Sequence, residues 1–141
     1  MAKTIYRTVL QLEGLQNLVN DGYLLNYSRR RDFRGGYSFN FSLSNQKIGG
    51  EIVDVDFEKY HLKILYLNKE PPKIFIRHPL LAENTIHTYK DSSLCLYHFS
   101  EFEWDDAKSI AYDLIPWIYM WIYFYERWLE YGEWFGDEYK H

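Results

Sequence analysis

The chain has 141 residues, of which 16 are basic and 20 acidic, and its formal net charge is −4 at neutral pH. This acidic balance argues against a nucleic-acid-binding protein, which usually carries an excess of positive charge. A single cysteine excludes an internal disulfide, and no secretory signal is recognisable. The sequence therefore predicts one cytoplasmic domain over residues 1–141.

An amphipathic helix is the first predicted element, over Tyr6–Asn20. Its apolar residues recur at helical spacing, at Val9, Leu12, Leu15, Leu18 and Val19. Asp21 and Gly22 follow as a helix stop. The strand-like segments that come next predict that this helix packs against a sheet.

Four segments are predicted to form an antiparallel meander, because apolar or aromatic residues alternate with polar ones in each. They are YSFNFSL (37–43), GGEIVDVDF (49–57), HLKILYL (61–67) and KIFIRH (73–78). Short polar turns, or turns that contain glycine or proline, separate them. Such short connections are typical of neighbouring antiparallel strands.

A basic cluster, RRRDFR at 29–34, precedes the first of these segments. It is interpreted either as a solvated hairpin edge or as a contact for an acidic partner or a phosphate.

A long irregular stretch, residues 80–104, follows the meander and contains the only cysteine. Loops of this length in small domains are usually functional or have local packing of their own. A short helix is predicted over 105–114, since acidic residues favour a helix N-terminus. Pro116 is expected in the first turn of a second helix, which runs to about Tyr131 with Gly132 as C-cap.

The apolar run LIPWIYMWIYFY, Leu114–Tyr125, is too short for a membrane span. It has 12 residues, whereas a spanning helix needs about 20. Charged residues flank it on both sides. Its aromatic side chains surround the helix, which predicts a helix covered on more than one side and no membrane contact.

Cys95, between two leucines, has several interpretations on composition and spacing alone. A buried small hydrophobe is the simplest. A zinc site needs four ligands, or three plus water, and Cys95 with His98 gives a single Cys-x-x-His pair, so no metal is predicted. A cysteine hydrolase would need a base and an orienting group nearby. A thiol that accepts an activated acyl group needs only access, and His87 and Lys90 are near enough in sequence to favour its thiolate.

The segment HTYKDSSLCLY, residues 87–97, resembles the active-site signature of bacterial ubiquitin-conjugating-enzyme-like proteins from type II CBASS anti-phage operons. Further segments resemble that family in the same order. They are PPKIFIRHPLL (71–81), EFEW (101–104) and IPWIYMWIYFYERWLEYGEWFGDE (115–138). The likeness covers most of the chain from about residue 49, and before that only the order of elements is similar.

The resemblance implies an α+β, ubiquitin-conjugating-enzyme-like fold, with an N-terminal helix, a four-stranded antiparallel meander, a long active-site loop and C-terminal helices. It implies that Cys95 is the catalytic nucleophile. His87 and Tyr89 stand where eukaryotic relatives have a His-Pro-Asn motif, whose asparagine is absent here. Trp104 and Trp134, within the family-like aromatic segments, are candidate partner-binding residues.

The function implied by the resemblance is to form a thioester with the C-terminal tail of a cGAS-like nucleotide cyclase and so conjugate or prime it, without a cofactor. An alternative is a non-catalytic module of the same fold that clamps the cyclase. The presence of Cys95 favours the first, and the missing asparagine is compatible with the second.

Overall fold

In the computed structural model of the protein, the described residues are 2–68, 70–97, 101–105 and 107–134, with side chains from residue 8 onward. The main elements are α1 (Ala2–Asn20), β1 (Leu24–Arg31), β2 (Tyr37–Leu43), β3 (His61–Tyr66), β4 (Lys73–His78) and α2 (Ile115–Tyr131). A 3-10 turn, Phe57–Lys59, precedes β3, and a π-helical turn, Ile110–Leu114, leads into α2.

The four strands form one antiparallel sheet in the order β1-β2-β3-β4. Phe39 on β2 pairs with Ile64 on β3, which in turn pairs with Ile74 on β4. All three side chains are buried on the same face and form the centre of the core. The predicted α+β class and the antiparallel meander are therefore confirmed, because alternation puts one face of each strand into the core.

Helix α1 spans the predicted segment and begins before it, at Ala2. Leu15 and Leu18 are buried, whereas Val9, predicted to lie on the apolar face, is 41% exposed. The helix packs closely on the π-helical turn. A Cβ atom added at Gly14 would lie 3.2 Å from Cβ of Ala111, so the glycine permits this approach.

One of the four predicted strands is wrong and another was missed. GGEIVDVDF (49–57) contains no strand; it begins in a turn closed by Ile48 and Glu51, bends at Asp54 and continues beside the core. Its alternation arises because Val53 and Val55 pack against the core while their neighbours face solvent. The missing strand is β1, whose pattern is interrupted by a bulge at Asn26, with φ 54°, and by consecutive arginines.

The C-terminal region is a single helix extended by its π turn, so the separate helix predicted over 105–114 is wrong. Gln11 of α1 holds the start of this turn by accepting a 2.8 Å hydrogen bond from the backbone N–H of Ile110. Pro116 lies in the first turn of α2, and Gly132, with φ 75°, caps its end, as predicted. The aromatic residues of α2 are buried or half-buried, except Tyr131 at its end, which is 57% exposed, and this confirms that the helix is covered on several sides. The buried and half-buried ones are Trp117, Tyr119, Trp121, Tyr123, Phe124, Tyr125 and Trp128.

Among the described residues, no helix has both the length and the apolar character that a membrane crossing requires.

Candidate active site

Cys95 lies at the end of a small β-hairpin within the predicted long loop. Thr88 and Leu94 form its β-bridge, and the backbone N–H of Cys95 donates to the carbonyl of His87 at 2.9 Å. The N–H of Tyr89 donates to the carbonyl of Ser93, also at 2.9 Å. These bonds fix the main chain on both sides of the thiol. We call residues 87–95 the cysteine hairpin.

The tip of the cysteine hairpin is tied by polar contacts. The Asp91 carboxylate accepts hydrogen bonds from the N–H and the hydroxyl of Ser93 and lies 3.2 Å from Lys73 Nζ on β4. These contacts, the Ser93 bonds first, hold the pKa of Asp91 below its usual range. Below the tip, the N–H of Leu94 donates to the carbonyl of Ile74 at 2.8 Å. The hairpin is therefore docked against the edge of β4.

Helix α2 supports the other end of the hairpin. The indole Nε1 of Trp121 donates to the carbonyl of His87 at 3.1 Å. That carbonyl therefore accepts from both Trp121 and Cys95. His87 has φ 57°, a left-handed conformation that histidine tolerates better than most residues. Its ring packs against Trp134, with centroids 4.6 Å apart.

The Cys95 side chain is nearly enclosed, since the residue is only 7% exposed. Sγ lies 3.5 Å from the carbonyl oxygen of Tyr97 and is hydrogen-bonded by the hydroxyl of Tyr89. Burial raises the pKa of the thiol, and the hydrogen bonds from Tyr89 and the Tyr97 backbone lower it, with burial the stronger effect. Burial and contact with the sulfur also raise the pKa of Tyr89. The thiol is therefore mostly protonated at neutral pH, with a hydroxyl donor in place to stabilise the anion.

A groove of about 630 Å³ lies beside the cysteine hairpin, lined by both sequence neighbours of Cys95 but not by Cys95 itself. Tyr89 and Tyr97, which contact the cysteine, form one wall, and Pro72 and Trp104 lie among the other residues that line it. The indole Nε1 of Trp104 is buried and has no hydrogen-bond partner among the described residues. Such a donor is costly to leave unpaired, but because the protein encloses it, an acceptor in the groove could reach it only if the Trp104 side chain moved.

The structure brings Cys95, His87 and Tyr89 together, as the sequence predicted, although His87 contacts the cysteine through its backbone. Trp134 packs on the ring of His87, and Trp104 lines the groove together with Tyr89 and Tyr97, so both predicted partner-binding residues lie near the cysteine hairpin. A partner-binding role for either tryptophan stays a prediction.

Sequence reasoning missed four supporting residues: Trp121, Lys73, Asp91 and Ser93. The Asp-Ser-Ser run at 91–93 is a turn signal that could have revealed two of them. No local signal connects Trp121 or Lys73 with the hairpin, because their contacts cross long stretches of chain.

His98, the other member of the Cys-x-x-His pair, lies outside the described residues. Within the part of the chain that is described, no group of three or more His, Cys, Asp or Glu side chains is arranged to hold a metal ion.

Comparison with known proteins identifies one family. The model of a family described as E2-CBASS, type II CBASS E2 protein, matches residues 30–141. No curated protein matches the chain.

Proposed function

The chain belongs to the family of type II CBASS E2 proteins, and on that premise we propose that it is a ubiquitin-conjugating-like acyl transferase. Residues 1–141 act as one ubiquitin-conjugating-like domain in anti-phage defence. Cys95 carries the C-terminal tail of a cGAS-like nucleotide cyclase as a thioester and passes it to an amine.

The observation that carries this proposal is the hydrogen bond between the Tyr89 hydroxyl and the Cys95 thiol. Tyr89 occupies the motif position at which eukaryotic relatives have an asparagine, so a different donor takes its place beside the sulfur. Hydrogen bonds to an ionised group are worth about 1.5–3 kcal/mol, so the Tyr89 hydroxyl offsets part of the cost that burial imposes on the thiolate.

The first step requires an activated donor, which is an acyl adenylate or a thioester of the cyclase tail. The Cys95 sulfur attacks the terminal carbonyl carbon, and the new C–S bond replaces the bond to AMP or to the donor thiolate. The thiol proton leaves to solvent or to the departing group. The Tyr89 hydroxyl stabilises the sulfur anion before attack and is positioned to hydrogen-bond the oxyanion that forms next to it.

The second step releases the tail. An acceptor amine attacks the thioester carbon, an amide bond forms as the amine loses a proton to solvent, and the C–S bond breaks to return the Cys95 thiolate. That anion recovers its hydrogen bond from Tyr89. The groove lined by Tyr89 and Tyr97, with a volume of about 630 Å³, would receive the end of the tail.

The alternative is a binding module that clamps the cyclase without covalent chemistry. One observation favours it, namely that the Cys95 thiol is buried and its pKa is raised rather than lowered. Under this alternative the cyclase would still bind in the groove, and loss of the thiol would leave binding intact.

Co-expression with the operon's cyclase and any activating enzyme separates the two functions. Wild type is expected to give a thiol-sensitive adduct on denaturing gels, Cys95→Ser a more stable oxyester, and Cys95→Ala no adduct. Intact mass should equal the sum of the two chains minus one water. If wild type co-purifies with the cyclase without an adduct, and Cys95→Ala does so equally well, the binding module is the correct function.

A further inference from the structure

The two edges of the sheet differ in what covers them. The cysteine hairpin donates a hydrogen bond to β4 through Leu94, whereas β1 pairs only with β2 in the described sheet. Three exposed arginines lie on β1, at Arg29, Arg30 and Arg31. An unpaired edge strand can accept a further strand, and charge on that edge discourages unselective pairing. A matching strand would therefore have to carry the opposite charge.

A segment with that character is present in the same chain. Residues 51–56, EIVDVD, alternate in strand-like fashion but form no strand. Glu51, Asp54 and Asp56 are exposed, and Ile52 is 85% exposed, which is unusual for a large apolar side chain. The backbone of residues 52–55 makes no hydrogen bond to any described residue. We call residues 51–56 the acidic segment.

The segment is held against the core at two positions and bends at Asp54 between them. Val53 and Val55 pack against the core, and the Asn45 side chain fixes the following turn by accepting from the N–H of Phe57 at 2.7 Å. Pairing would straighten the bend at Asp54 and order the backbone around it, which is one reason to expect a weak contact. On the solvent-facing side of the segment, Ile52 lies between carboxylates. This surface matches the β1 edge, where each arginine has a charged end and an aliphatic stem.

We propose that the acidic segment of one copy of this protein pairs with the β1 edge of a second copy, as an added strand. Asp54 and Asp56 can then face Arg29 and Arg31, because residues two positions apart share one face of a strand, and the backbone groups of both segments gain partners. The two surfaces are different, so the contact is head-to-tail and can extend beyond a dimer at high concentration. The interface is small, which predicts weak, salt-sensitive association.

The test is the concentration dependence of the oligomeric state of the full chain, by sedimentation velocity at low and at high salt. The edge variant Arg29→Glu/Arg31→Glu and the segment variant Asp54→Lys/Asp56→Lys should each weaken self-association at least about tenfold, because like charges would then face each other. A control with the same charge change as the edge variant, Lys90→Glu/Arg127→Glu, should stay close to wild type.

Mixing the edge and segment variants should restore association, because each supplies the surface that the other has lost. Hydrogen exchange should show amide protection in residues 24–31 and 52–55 that rises with protein concentration. A monomer at every concentration would overturn the proposal. Self-association that the control weakens as much as the edge variant, or that proceeds without protection of these amides, would also overturn it.

Discussion

The indole Nε1 of Trp121 lies 3.1 Å from the carbonyl oxygen of His87, the same oxygen that accepts the backbone N–H of Cys95 at 2.9 Å. One backbone carbonyl therefore links helix α2 to the peptide unit of the candidate nucleophile. The position of the thiol depends on the packing of a helix that begins 20 residues later in the chain.

Trp121→Phe tests this link. The substitution removes the donor and some buried ring area, so we expect a loss of about 1–3 kcal/mol in unfolding free energy. A looser cysteine hairpin should alkylate faster at Cys95 while forming less adduct with the cyclase. Urea denaturation and thiol alkylation measure both effects. Trp128→Phe, at a half-buried position of the same helix, is the control and should leave alkylation unchanged. Equal effects of the two substitutions would contradict the role of the hydrogen bond.

Tyr89→Phe tests the donor at the sulfur. The Tyr89 hydrogen bond lowers the pKa of Cys95, so its loss should raise that pKa and move the pH profile of alkylation to higher pH. Adduct formation should fall by about 10²-fold, as for loss of a single oxyanion donor. The control is Tyr112→Phe, because Tyr112 is 58% exposed and does not line the groove. An unchanged pH profile in Tyr89→Phe would show that the hydroxyl does not act on the thiol.

His87→Asn distinguishes a structural brace from a general base. Asparagine tolerates the left-handed backbone of His87 but lacks the ring that packs on Trp134. We expect adduct yield and thermal stability to fall together, with an effect that is similar from pH 6 to pH 9. A variant with native stability, but with an activity loss of about 10²-fold or more that follows a single ionisation near neutral pH, would identify His87 as the base.

Asp91→Asn should destabilise the hairpin tip in a pH-dependent way. The folded-state pKa of Asp91 is lowered by Ser93 and Lys73, so its contribution is present above the unfolded pKa and is lost as pH falls through the folded value. The difference from wild type should therefore be largest near neutral pH and vanish in acid. Because the side chain is exposed, we expect less than about 1 kcal/mol. Parallel denaturation curves from pH 2 to pH 7 give this difference, and a constant value would contradict the assignment.

Gly36→Ala should lower the stability of the protein more than Gly132→Ala. Gly36 has φ 85°, and an added Cβ would lie 2.1 Å from the backbone oxygen of Tyr66, so β2 or β3 would have to move. Gly132 also has positive φ, but its Cβ would meet nothing within 4 Å. Gly132→Ala should therefore cost about 1–2 kcal/mol, the strain of the left-handed conformation alone. Thermal unfolding of both variants compares them, and equal losses would show that the close approach to Tyr66 is not tight.

The sequence by itself determined the features that depend on neighbours in the chain. Helical spacing located α1 and α2, alternation located β2, β3 and β4, and Pro116 and Gly132 marked the ends of α2. The lone Cys95 within its motif also singled out His87 and Tyr89, which the hairpin brings to it. These features could be predicted because each depends on residues a few positions apart.

The tertiary structure decided what depends on distant partners. The alternation in residues 51–56 arises because alternate side chains of this segment pack against the core. Only the fold shows that no neighbouring strand pairs with the segment. The alternation of apolar and polar residues in β1 is weak, yet β1 pairs with β2 as an edge strand of the sheet. The Trp121 and Lys73 contacts join the cysteine hairpin to α2 and β4 across long stretches of chain. A hydrogen bond between residues far apart in sequence leaves no periodic trace, because its geometry exists only after the core has packed.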